Sequence, residues 1–283
     1  MELSFTNSAF TRGAFIVHRV DTTTSTQDDL RGLTDAAHLT TVRAEHQTVG
    51  RGRLGRAWES KPGQSLLAST FVALPDTERM RERLGFLTLI GAAAARAALA
   101  ELTASDAFTV KFPNDVMCDG GKIAGVLGEF LPEHSIARGE LCAAIGVGIN
   151  VSQGPDELVD GATSLAAQGF AGQDDAGQPS VAHDSADRLL ELYLHHLSRR
   201  IDAFANGADA TELIAELNEH LDGRGTHATV AGESGIIVGL TDSAHLILRG
   251  EQEAQVSPAD VAMFVEHGLT QRPSSDSSKD ANL

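Results

Sequence analysis

Cysteine appears only twice in this 283-residue sequence, as Cys118 and Cys142, and no CxxC pair exists. That scarcity excludes a disulfide framework and argues against a structural zinc site, leaving two reduced, inert thiols as the expectation. Tryptophan and tyrosine occur once each, so an aromatic-rich basic face for nucleic acid is missing. Cations are in deficit, with 22 Lys and Arg against 39 Asp and Glu and a formal net charge of −17. Such a surface repels phosphate backbones and anionic membranes, so neither nucleic acid nor membrane is an expected partner. No run approaches the roughly 18 uninterrupted apolar residues of a membrane span, because the Ala-rich stretch from Gly91 to Ala100 is short and contains Arg96. A basic segment followed by an apolar one is also absent from the N-terminus, and a cytoplasmic address is expected.

Against this acidic background, Gly50-Arg51-Gly52-Arg53-Leu54-Gly55-Arg56 packs three arginines and three glycines into seven residues. The glycines let the backbone turn tightly and present N–H groups, while the arginines supply fixed charge and forked donors. A small anion, phosphate or carboxylate, is the natural guest. A solvated basic turn is the plain alternative for the heptad taken alone.

The length suits one medium domain and one small one. Thr24 to Gln27 fits a capping box, with Asp28 and Asp29 in the favoured first turn of a helix running to about Gly32. Strands are expected at Leu39–Glu45 and Ser65–Ala73 on either side of the heptad, and a long buried helix from about Arg83 to Leu102. Phe108–Phe112, Ile123–Phe130 and Leu141–Val151 read as strands joined by short turns such as Asp119-Gly120-Gly121. The fold class is therefore α+β, with a mixed, largely antiparallel sheet and helices packed on it. Gln168 to Ser180 reads as a surface loop and Ala186–Phe204 as an amphipathic helix. Thr229–Ala231, Ser234–Leu240 and His245–Leu248 suggest a small β-barrel, and Gln271–Leu283 a disordered tail. The expected domains are 1–222, 223–268 and the tail 269–283.

Three further stretches carry chemistry. Lys111-Phe112-Pro113-Asn114-Asp115 ends a strand in a rigid turn with a cation and a carboxylate, and Lys122-Ile123-Ala124-Gly125 opens the next strand with a second cation. Gly146-Val147-Gly148-Ile149-Asn150 is a β segment whose glycines admit close approach and whose Asn offers both donor and acceptor. Singly, these read as a turn, a strand-edge lysine and a bulged core strand.

Their order resembles the biotin protein ligases, also called biotin–acetyl-CoA-carboxylase ligases. The resemblance rests on Ser25-Thr26-Gln27, Ala44 to Val49 leading into the heptad, Trp58, Lys111 to Asp115, Lys122 to Gly125, Gly146 to Asn150, and Ala162-Thr163-Ser164-Leu165. It runs from about Val17 to Val265 and implies the class II aminoacyl-tRNA-synthetase-like catalytic fold followed by a small SH3-like barrel. Phe112 stands where the family usually has Trp, and Gln27 where it often has Asn. Fewer than 20 residues precede the first motif, so the helix-turn-helix repressor domain of some members is not expected, nor a DNA-binding role.

The resemblance implies that biotin and MgATP form biotinyl-5′-AMP, and that biotin then passes to a lysine of a biotin carboxyl carrier domain of an acyl-CoA carboxylase. Lys122, Arg53, Asp115 and Lys111 would carry catalysis, with Arg53 and Lys122 meeting around the biotin carboxylate and the α-phosphate. Ser25, Thr26, Gln27, Gln47, Gly50, Arg51, Gly125 and Gly148, together with Arg53 and Lys122, would bind biotin. Arg53, Arg56, Trp58, Lys111, Asn114, Lys122 and Asn150 would bind ATP or the adenylate, Trp58 by stacking on adenine. No residue is assigned to metal, although Mg²⁺ is expected to accompany ATP, and the protein is expected as a monomer or weak homodimer. A lipoate or octanoyl transferase of the same superfold is the alternative activity, and a noncatalytic Gly/Arg nucleic-acid module the alternative class. His195-His196, adjacent on a helix, lack the i, i+4 spacing of a metal pair and read as structural.

Overall fold

The computed structural model describes residues 10–12, 15–52, 57–170, 172–173, 179–180, 184–206 and 211–258. Strands β1 (Phe10–Arg12) and β2 (Phe15–Thr23) precede helix α1 (Thr26–Gly32), then β3 (Thr41–Gln47), the two-residue strands β4 (Gly50–Arg51) and β5 (Ala57–Trp58), and β6 (Ser65–Pro75). Helices α2 (Glu78–Glu82) and α3 (Phe86–Thr103) follow, then β7 (Phe108–Lys111), β8 (Asp115–Cys118), β9 (Gly121–Phe130), α4 (Pro132–Arg138) and β10 (Glu140–Asn150). The remainder comprises β11 (Gly172–Gln173), β12 (Pro179–Ser180), α5 (Asp184–Ala205), α6 (Thr211–Glu219), β13 (His227–Val230), β14 (Glu233–Leu240), β15 (Leu246–Arg249) and β16 (Glu253–Val256).

One eight-stranded sheet, in the order β1-β2-β3-β6-β10-β9-β8-β7, organises the larger part of the chain. Only the β2–β3 pair is parallel, joined through α1, while the others are antiparallel, so the sheet is mixed and mostly antiparallel as expected for α+β. β6 and β10 pair along eleven residues each, from Ser65↔Asn150 to Pro75↔Glu140. Both run buried almost end to end, which their near-continuous apolar sequences require.

Helix α3 lies across one face of this sheet and against α5. Fourteen of its eighteen residues are buried, from Phe86 to Leu99, and each fully buried Leu or Ile stabilises the fold by about 1.5–3 kcal/mol relative to exposure. Its alanines keep the helix close to the strands, and Gly91 is required there because a Cβ would come within 2.7 Å of Val126 Cγ1. The helix expected from about Arg83 to Leu102 is α3, which begins three residues later at Phe86, and the short α2 before it was not anticipated. α2 is capped by Thr77, whose side chain accepts from Met80 N, and Gly85 starts α3 after a break at Arg83.

Among the ordered elements for which the sequence carried no assignment are β2, α2, β8, α4 and α6. β8 was hidden because Asp115 to Cys118 is four residues long and sits between two turns. The C-terminal part holds four antiparallel strands in a β13-β14-β15-β16 meander where three were expected. It is tied to β7 by Val110 N donating to His220 O at 2.8 Å and Asp222 N donating to Val110 O at 2.9 Å. Leu240, Leu246, Leu248 and Val256 continue the main hydrophobic core into it. The expected tail, 269–283, lies outside the described residues. Cys118 and Cys142 are both buried and unpaired, and burial pushes both thiols up, in keeping with inert side chains.

Candidate active site

The expected capping box does not form. Ser25 is the N-cap of α1 and makes no side-chain cap bond. Thr24 stands one residue before that N-cap, and its carbonyl accepts from Val49 N at 3.0 Å, extending the pairing of β2 and β3 beyond the sheet. The side chains that could have capped the helix serve a cavity wall instead. Thr26 donates from both its backbone N and its hydroxyl to Gln47 Oε1, at 2.7 and 3.0 Å, and its hydroxyl also bonds Ser69 Oγ at 2.8 Å. With its carbonyl occupied, Gln47 has its NH₂ to offer a ligand. Gln27 donates from Nε2 to Leu127 O at 3.1 Å and packs over Gly146.

These residues line one end of a cavity of about 580 Å³, within the ~300–1,000 Å³ of small-molecule sites. Ser25, Thr26, Gln27, Gln47 and Arg51 lie at that end, while Trp58, Asn114, Asp115, Lys122, Gly125, Gly148 and Asn150 complete the lining expected from sequence. The site is assembled by β9 and β10, where Gly148↔Gly125 and Gly146↔Leu127 are cross-strand partners.

Trp58 lies on the facing glycines. A Cβ on Gly148 would stand 2.6 Å from the indole Cε2, and one on Gly125 would stand 3.2 Å from Cζ3. Gly50 is needed for the Trp58 backbone instead, since its Cβ would reach the carbonyl oxygen of Trp58, its cross-strand partner, at 2.3 Å. The close approach that these glycines permit is therefore to Trp58. The Lys122 ammonium sits 5.9 Å from the indole centroid, within cation–π reach.

Lys122 Nζ is 2.7 Å from Asp115 Oδ1 across the β8–β9 hairpin, with both side chains partly exposed to the cavity. Asn114 locks the preceding turn by donating Nδ2 to Val126 O at 3.0 Å, while Val126 N donates to Asn114 O at 2.9 Å. Asn150 is held from behind: Nδ2 donates to Thr163 O at 2.9 Å and Oδ1 accepts from Gln153 Nε2 at 3.2 Å. The segment carrying Val159 to Ala162 over the cavity is anchored by Glu157, whose carboxyl is held down at about 2 by the Lys61 ammonium, the Gly154 N–H and the Gln64 amide.

Two expected residues stand apart. Lys111 is exposed at the end of β7, opposite Asp115 in register, and does not line the cavity; Gly50 is likewise outside the lining and pairs with the Trp58 backbone across β4 and β5. Arg53 and Arg56 lie outside the described residues, and with them the expected meeting of Arg53 and Lys122. Among the described lining residues the cations are Arg51 and Lys122, and the acids are Glu59, Asp115 and Asp160. Each cation is also engaged by a carboxylate, Arg51 by Asp28 and Lys122 by Asp115, so these residues alone do not make the cavity electropositive.

Sequence reasoning missed Ser69, Gln153 and Glu129. Ser69 and Gln153 are ordinary polar residues whose role depends on strand pairing, and Glu129 reads as a strand residue until Arg31 is seen against it. A second cavity, of about 440 Å³ between β2 and α5, is lined mainly by Phe15, Val17, Leu190 and Leu194, and no motif residue reaches it.

Residues 16–150 match the model of the Biotin/lipoate A/B protein ligase family. The biotin–[acetyl-CoA-carboxylase] ligase of Paracoccus denitrificans is 32% identical over 230 residues, covering 79% of this chain and 89% of the relative. The chain is a member of the biotin protein ligase family. The enzyme of the same name from Mycobacterium tuberculosis is 38% identical over 165 residues, 58% of this chain. The chain spans about half the length of this and another curated relative, a Bacillus spizizenii ligase/repressor, 54% and 50% respectively. Among solved structures, the Aquifex aeolicus biotin protein ligase in complex with biotin and ATP is similar with a TM-score of 0.68 and 25% identity, covering 85% of this chain and 95% of that one.

Proposed function

We propose that this biotin ligase family member joins biotin to a lysine of a biotin carboxyl carrier domain in two steps at the 580 Å³ cavity. The observation that carries the reading is convergence: motif residues from α1, β3, β8, β9 and β10 line one space, with amide and hydroxyl groups at one end and the Lys122–Asp115 pair on its wall. The bound biotin and ATP in the Aquifex relative support the same pair of substrates here.

In the first step an oxygen of the biotin carboxylate attacks the α-phosphorus of ATP. The bond to the bridging oxygen breaks, pyrophosphate leaves, and biotinyl-5′-AMP remains. Bringing carboxylate against phosphate at ~4 Å costs about 4 kcal/mol at an effective dielectric of ~20 if nothing neutralises it. Lys122 supplies charge there, and Arg53 and Arg56 are the further cations we assign to that role. Three carboxylates reach the lining, Glu59, Asp115 and Asp160, yet no group of three His, Cys, Asp or Glu forms a metal cage among the described residues. That set fits Mg²⁺ arriving on the nucleotide phosphates, with one or two carboxylates available to it, rather than a resident ion.

At the other end, the Gln47 NH₂ and the Ser25 hydroxyl, which is free of any capping duty, donate to or accept from the neutral ureido ring. Burying such a ring without partners would cost about 1–3 kcal/mol per amide group. In the second step the carrier lysine, as free amine, attacks the biotinyl carbonyl carbon; AMP departs and the new amide nitrogen loses a proton, for which Asp115 is the nearest carboxylate to Lys122. We further assign β13–β16 as the small SH3-like barrel beginning near residue 223. The net charge of −17 supports a protein that does not bind nucleic acid.

The test is avidin-detectable labelling of a purified carrier domain, with biotin, ATP and Mg²⁺ omitted in turn. Labelling that needs all three supports the reading; no labelling with the complete set, or a carrier mass that rises by a lipoyl group when lipoate replaces biotin, overturns it.

A further inference from the structure

Arg51 belongs to the Gly/Arg heptad and lines the cavity, but its charge is already in use. Its Nη2 donates to both carboxylate oxygens of Asp28, at 2.6 and 2.7 Å, and its Nη1 stands 3.9 Å from Glu129 Oε2. Glu129 is buried, with a side chain 5% exposed, and its other oxygen pairs closely with Arg31 Nη2. Arg31 closes the ring by donating Nη1 to Asp28 Oδ1 at 2.9 Å. Two arginines and two acids thus form a cycle of zero net charge, contributed by α1, β4 and β9.

The cycle has a definite place along the cavity. Gly125, Leu127 and Glu129 alternate on β9 and so share one face, the face over which Gln27 and Trp58 pack. Glu129 is seven residues from Lys122 along β9, roughly 20 Å at ~3.3 Å per residue, so the cycle stands at the opposite end from the Lys122–Asp115 pair. An arginine whose Nη2 is shared by both oxygens of one carboxylate and whose Nη1 faces a second carboxylate is a poor partner for a ligand carboxylate or phosphate.

We propose that Asp28 and Glu129 are positioning residues that hold the Arg51 guanidinium in the cavity wall, so that Arg51 shapes the pocket for a neutral polar ring instead of serving as a free cation for an anion. This rests on the reading of that end as the ureido end. Loss of Asp28 frees Arg51 to swing toward solvent and lets the wall beside Gln27 relax, without touching the nucleotide end.

The experiment has two arms. In the ligand-free arm, urea unfolding of Asp28→Asn, Arg51→Met and the double variant forms a cycle. The expected result is that the double variant is no less stable than the worse single one, because the two residues share one interaction; additive losses overturn the proposal. In the ligand arm, calorimetric titration gives an affinity for biotin about tenfold weaker in Asp28→Asn, as expected for a lost charge-assisted bond at the wall, with ATP affinity moved less than about twofold. Glu129→Gln shows the same split, and Asp28→Glu, which keeps the charge, recovers part of the loss. Equal weakening for biotin and ATP, or none for either, overturns the proposal. Wild-type protein that takes up no biotin overturns the functional reading instead, and the ligand-free cycle then still decides whether Asp28 holds Arg51.

Discussion

Lys122 Nζ and Asp115 Oδ1 stand 2.7 Å apart across the β8–β9 hairpin, while the Asn114 bonds to Val126 fix the strand ends that carry them. The pairing sets the direction of the lysine, because an unpaired ammonium on a four-carbon stem would sample several rotamers. Asp115→Asn keeps the size of the side chain and removes the charge. The expected outcome is a fall of about 10²-fold or more in carrier labelling, the order given by loss of a positioned acid–base group. Labelling within a few-fold of wild type, measured by avidin blot at matched protein concentrations, would assign Asp115 to structure alone.

Trp58 is the only tryptophan in the chain, so its emission reports this cavity without interference. Gly148→Ala places a methyl 2.6 Å from the indole, against a sheet strand that cannot retreat. The ring must move toward the cavity opening. A red-shifted emission maximum and a raised half-saturating ATP concentration are expected, whereas an unshifted spectrum would mean that the indole does not rest on Gly148.

Tyr193 is fully buried on α5, its hydroxyl has no hydrogen-bond partner among the described residues, and burial pushes its phenol above the ordinary range. Tyr193→Phe removes an unsatisfied group from the α3–α5 interface without opening a cavity. Thermal unfolding is expected to rise or hold, with a gain of up to about 1 kcal/mol. A loss of that size or more would reveal a partner for the hydroxyl.

Acid should weaken the fold through its histidines. Burial is the largest cause that lowers His38, His196 and His220 below the ordinary 6.5. His38 Nδ1 accepts from Ala73 N at 3.1 Å, and His220 Nδ1 faces the Arg96 guanidinium at 3.1 Å, so both rings are held neutral at that nitrogen. A depressed folded pKa means that the unfolded chain binds more protons, so stability rises with pH. The contribution is complete above about 6.5 and is lost as pH falls from there through the lower folded values. Urea midpoints measured from about pH 7.5 to about 5.5 are expected to decline, and His220→Gln should flatten the decline. A midpoint that rises toward acid would reverse the assignment.

Much of this architecture is legible in residue patterns. The apolar runs of β6 and β10 and the alanines of α3 announce burial because no other environment suits them. The motif glycines were also readable, although as openings for a ligand, and Gly148 and Gly125 instead receive Trp58. What sequence could not supply was competition for partners. Thr24 to Gln27 has the composition of a capping box, yet the Thr26 hydroxyl finds Gln47 and Ser69 from strands that reach it only after folding. Arg51 likewise reads as a free cation until Asp28 and Glu129 are brought to it from α1 and β9.

The central claim is that Lys122, set on the wall of this cavity, brings an organic carboxylate and a nucleotide phosphate together. Biotin-dependent exchange of radiolabelled pyrophosphate into ATP reads that step alone, without a carrier domain. The account predicts exchange by the wild-type protein that is absent without biotin and falls by about 10²-fold or more in Lys122→Ala. Exchange at the wild-type rate in that variant, or exchange that does not depend on biotin, would contradict it.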